Sequence, residues 1–155
     1  MRLNRETWLQ GVLHRTRPYF KSHGTPLPGN IDVSVGWCNT SPESLAGGLY
    51  PPGEEMPNWE IFINPDVLSG ELAVCVLLHE LIHIAVAPYM GHRGKFREIA
   101  TAFGFGSKLV YADVRHGPPA TFLEHLTEGL GPYPHRRKHG RGHAVGSSHR
   151  RGPAG

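Results

Sequence analysis

Apolar residues recur at helical spacing near the start of the chain. Trp8, Leu9, Val12 and Leu13, followed by Tyr19 and Phe20, fall on one face of a helix that begins after Asn4. Asn4 is a residue type that caps helix starts, and Glu6 sits in the first turn, where a negative charge suits the helix dipole. Pro18 predicts a kink or an end near Arg17. Residues 22–30 carry Gly24, Pro26, Pro28 and Gly29 and read as a loop. Residues 31–37 then alternate apolar with polar, the signature of a half-buried strand. Residues 40–58 predict a long loop with a strand fragment near Leu49, and residues 60–64 a short strand ended by Pro65.

The pattern changes after Ser69, which is placed to cap a helix with Glu71 near its positive end. From 72 to 87 almost every residue is apolar except His79, Glu80 and His83. A helix that is apolar all round is a buried helix. Pro88 marks its end. A second helix is expected from about His92 to Phe103, with Phe96, Ile99 and Phe103 as packing residues and Gly104 as its stop. Residues 107–112 suggest a strand, and Pro118–Pro119 open a further helix that Gly129 closes. The fold class this implies is α+β. A small, mostly antiparallel sheet from segments 31–37, 60–64 and 107–112 packs on the buried helix.

His79-Glu80-Leu81-Ile82-His83 is an H-E-x-x-H pattern, the mark of zincin-type metal sites. Two histidines four apart lie on one helix face and can share one tetrahedral zinc ion, while Glu80 is rotated away from both. Glu80 is thereby left to accept a proton from a water on the metal and to return it to a leaving group. Three polar side chains in an otherwise oily helix need such a reason, because an unpaired buried polar group costs roughly 1–3 kcal/mol. A catalytic site needs a third protein ligand. His92, beyond the break at Pro88, is the first choice, and Glu98 is the rival. The metzincin spacing is absent, since Val86 and Tyr89 stand where Gly and His are required. Tyr111, Tyr133 and His135 are candidates, by chemistry alone, to stabilise an oxyanion.

The H-E-x-x-H pattern followed by Gly91-His92-Arg93-Gly94-Lys95-Phe96 resembles the SprT-like metallopeptidase family, which includes the Spartan proteases and many small bacteriophage proteins. The strand 60–64 with Pro65, and Leu130-Gly-Pro-Tyr-Pro-His135, are similar to the same family; the likeness spans roughly residues 31–135. It implies His79, His83 and His92 as ligands of one zinc ion, Glu80 as general base, and a polypeptide substrate, in the Spartan branch a protein crosslinked to DNA. Arg93 departs from the family's Gly, and no CxxC pair of a zinc ribbon occurs.

Charge divides the chain in two. Residues 1–134 hold 10 Lys/Arg against 13 Asp/Glu, and residues 135–155 hold 6 Lys/Arg and no acid. The expected organisation is a metallopeptidase domain over 1–134 and a basic His/Gly/Arg-rich tail over 135–155, whose composition predicts disorder. The tail is a candidate for DNA contact through phosphates. No apolar run is long enough for a membrane span, no secretory leader is expected from the charged residues 1–10, and Cys38 and Cys75 are not expected to make a disulfide framework. The expected setting is cytoplasmic, or the host cytoplasm for a phage-encoded chain. Two other functions fit the same residues: zinc-dependent hydrolysis of a non-peptide amide, and a non-catalytic zinc-stabilised module that binds nucleic acid or protein.

Overall fold

A computed structural model describes residues 3–38, 46–88, 91–106 and 117–135. Helix α1 spans Arg5–Ser22, and strands β1, β2 and β3 span Ile31–Val35, Gly47–Tyr50 and Trp59–Ile63. Helices α2, α3 and α4 span Gly70–Ala85, Lys95–Phe103 and Ala120–Thr127. The architecture is α+β: four helices and one three-stranded sheet among the described residues. The expected strand over 107–112, Tyr111, part of the 40–58 loop and the tail after 135 lie outside them.

Both predicted N-caps form. The Asn4 side chain accepts from the Thr7 N–H, and Ser69 accepts from the Leu72 N–H. Each satisfies a backbone donor that the first helical turn leaves without a partner. Pro18 does not end α1, which runs on to Ser22. His14 and Pro18 are both exposed, so the carbonyl that loses its partner faces water. Phe20, fully buried and 5.1 Å from the Phe103 ring, anchors the last turn. Packing therefore overrides the local break.

The sheet is mixed, not mostly antiparallel. Its order is β1-β3-β2, with β1 parallel to β3 and β2 antiparallel to it. Ile31, Val33, Ile61 and Ile63 point inward and form the core with the apolar face of α1 and nearly all of α2. Helix α2 is the hub, touching α1, α3, α4, β2 and β3, which is why its sequence is apolar on every side.

At Gly47, strand β2 comes so close to α2 that a side chain is excluded. A Cβ there would lie 2.5 Å from the Phe62 carbonyl oxygen and 2.6 Å from Val76 Cγ1. Gly47→Ala is expected to force sheet and helix apart and to destabilise the fold by about 1–3 kcal/mol. A urea titration checks this: the midpoint should fall with the slope unchanged. An unchanged midpoint would show that β2 can shift without loss.

The C-terminal described segment is clasped to α1. Arg5 donates to the carbonyls of Pro134 (2.6 Å) and Pro65 (2.8 Å), and Trp8 Nε1 donates to the Gly131 carbonyl. Tyr133 packs on Trp8 with ring centroids 4.9 Å apart, under the Arg5 guanidinium. This clasp sits at the start of α2 against Gly70.

Candidate metal centre

The geometry begins with α2. His79 and His83 are one turn apart on the same helix face, and their rings lie 4.9 Å centre to centre. Both are buried, 8% and 6% exposed. The third imidazole comes from the connection between α2 and α3. Helix α3 starts at Lys95, so His92 lies in the bend before it and not at its first turn. The cause is Gly94, whose φ of 59° and ψ of −125° are open to glycine and not to helix-forming residues. Gly94 thus turns the chain directly before α3.

This bend brings the His92 ring 5.1 Å from His79 and 4.9 Å from His83. His79 Nε2 and His92 Nε2 are 3.2 Å apart. A tetrahedral ion about 2.0–2.1 Å from each imidazole nitrogen would set neighbouring nitrogens about 3.3–3.4 Å apart. One nitrogen from each of the three rings lies within 4.8 Å of the other two. Three histidines are therefore gathered closely enough to hold a metal ion.

The protonation states suit a ligand set. Burial lowers the His79 pKa from 6.5 to about 3, with His83 and His92 adding repulsion, and lowers that of His83 to about 4, with His92 adding to the effect. His92 moves in the same direction, also through burial. Neutral imidazoles have the free lone pair that a metal requires. His83 Nδ1 is buried without a partner.

Glu80 stands apart from the triad. Between residues 73 and 84 it is the one residue that is half-buried where the others are buried. It makes no hydrogen bond or ion pair with another described residue, and burial raises its carboxyl pKa from 4.5 to about 7. Glu98, the rival third ligand, faces solvent and pairs with Lys95 Nζ at 3.3 Å. Tyr133 and His135 are not brought to the triad. They belong to the clasp at Gly70, nine residues and about 13 Å of helix rise before His79. Tyr133 is a core residue whose pKa is raised by burial.

Acid should destabilise the metal-free protein. An unfolded histidine titrates near 6.5, whereas folded His79 and His83 resist protonation down to about 3 and 4. Between those values the unfolded chain binds more protons, so stability falls as pH drops from about 6.5 towards 4. Glu80 acts in the opposite sense between 4.5 and about 7, since its folded form holds a proton that the unfolded form has released. Three imidazoles outweigh one carboxyl. The urea midpoint of chelator-treated protein should be lower at pH 5 than at pH 7; an equal or higher midpoint would show that the rings are not buried in neutral form.

Among the described residues no helix is long and apolar enough to cross a membrane. The chain matches no protein-family model, no curated protein and no solved structure.

Proposed function

We propose that the chain is a zinc-dependent peptidase of the zincin type, related to the SprT-like family, with His79, His83 and His92 as ligands and Glu80 as general base. One observation carries this reading: three buried or half-buried imidazoles converge while the carboxyl between two of them in sequence stays off the cluster, with its pKa near 7. Imidazole donors without thiolate or carboxylate suit zinc, and three protein ligands leave a fourth position open. Zinc bound there would supply a Lewis acid that polarises a carbonyl and makes water more acidic. Glu80 takes the proton of the attacking water as the oxygen–carbon bond forms. It then delivers that proton to the amine nitrogen as the carbon–nitrogen bond breaks.

A polypeptide substrate is favoured over a small amide by the position of β2. Among the described residues it lies at the edge of the sheet, and its Gly47 packs on Val76. Val76 and Glu80 are four residues apart on α2 and so share a face. An extended chain added to that edge by main-chain hydrogen bonds would run past the general base. The basic residues after 135 offer an additional contact to DNA phosphates.

The test is metal analysis of the purified protein followed by digestion of an unfolded protein, with and without DNA. One zinc per chain and chelator-sensitive cleavage support the reading. Stoichiometric zinc with no cleavage of any protein would leave a binding module in its place. A DNA-stimulated rate that disappears when residues 136–155 are removed would tie the tail to substrate delivery; a rate indifferent to DNA would sever that link.

A further inference from the structure

Phe96 touches all three imidazoles. It lies in the first turn of α3 and is 1% exposed. Its ring centroid is 4.5 Å from that of His83, 5.0 Å from that of His92 and 5.3 Å from that of His79. The imidazole centroids are themselves 4.9, 5.1 and 4.9 Å apart. Four rings therefore occupy the corners of a nearly regular tetrahedron, with Phe96 at the corner that has no donor atom.

This arrangement matters because of what the histidines lack. Metal-binding histidines are usually held in orientation by a hydrogen bond from the second ring nitrogen to a carboxylate or carbonyl. Here His83 Nδ1 has no partner, and the contact between His79 and His92 joins one member of the triad to another. Among the described residues, no hydrogen bond from outside the cluster fixes any of the three ring planes. Among the same residues, packing is what holds the planes. The phenyl ring meets His83 at 40°, His79 at 67° and His92 edge-on at 89°, within the range of favourable aromatic contacts. A flat, rigid ring wedged against three others restricts rotation about each imidazole's second torsion. An aliphatic side chain of similar bulk would fill the space without fixing the planes.

We propose that Phe96 is a positioning residue of the metal centre, which holds the three imidazoles convergent and closes one side of their triangle. The proposal rests on the metal-binding reading above.

The experiment compares the full chain with its Phe96→Leu and Phe96→Met variants. Each is titrated with zinc against a competing chelator and with cobalt(II) followed by its visible absorption, and the metal-free forms are melted. The wild type should bind one ion per chain. Both variants should melt cooperatively without metal, yet hold zinc about 10–100-fold more weakly, with a shifted or weakened cobalt band. Wild-type affinity and an unchanged cobalt band in both variants would overturn the proposal and reduce Phe96 to a core filler. Failure of both variants to fold with or without metal would overturn it too, because the ring would then serve the fold before it serves the site. A wild type that takes up neither ion fails earlier and removes the metal reading itself.

Discussion

Replacing His83 with alanine is expected to yield a folded protein that no longer retains zinc through purification. Structural zinc sites bind with about 10–16 kcal/mol, so losing one of three imidazoles weakens binding on the order of a hundredfold or more. Hydrolysis should disappear with the metal. The fold should persist, because α2 is held by its apolar contacts with the sheet and the other helices and not by this ring. His83 Nδ1 has no hydrogen-bond partner among the described residues, so its removal strands no group at that atom. His14→Ala is the control: it is exposed on α1, and its loss should leave zinc content intact. Metal analysis after gel filtration decides the matter. Full zinc retention in H83A would mean that the ion is held elsewhere, and the three-histidine assignment would fall.

What could be read from the residues was what depends on short-range geometry. The caps at Asn4 and Ser69, the buried helix and the shared face of His79 and His83 follow from local spacing, and the structure shows them. His92 required more. Its approach to the other two rings depends on the bend at Gly94, and the choice between His92 and Glu98 turns on where α3 begins. With Lys95 as its first residue, Phe96 turns inward and Glu98 outward. An error of three residues in that start was enough to put His92 on a helix it does not join. Strand alternation says which face a side chain takes but not which strand lies beside it. For that reason the parallel pairing of β1 with β3 could not be foreseen. Tyr133 looked like a site residue by its chemistry, yet the Arg5 and Trp8 clasp holds it at the other end of α2. The role of Phe96 was hidden for a related reason. A phenylalanine four residues after His92 reads as ordinary helix packing until all three ring contacts are measured together.

Glu80→Gln separates catalysis from metal binding. Gln has nearly the same shape, so the packing of α2 is conserved, but it cannot accept a proton. Because Glu80 lies off the triad, zinc should remain at one ion per chain. The turnover rate should fall about 10²–10⁴-fold, the usual contribution of a general acid–base group, with little change in KM. A second readout needs no substrate. The folded metal-free protein holds the Glu80 carboxyl with a pKa near 7 because burial opposes its charge. Above that pH the charged form is a destabilising burden, which an uncharged Gln does not carry. The metal-free variant should therefore melt higher than the metal-free wild type at pH 8, and the gap should narrow at pH 5. Hydrolysis that survives in E80Q at wild-type rate would remove Glu80 from the chemistry, whatever the zinc content. Loss of zinc together with activity would instead place the carboxylate among the ligands. That outcome is hard to reconcile with a side chain pointing off the face that His79 and His83 share.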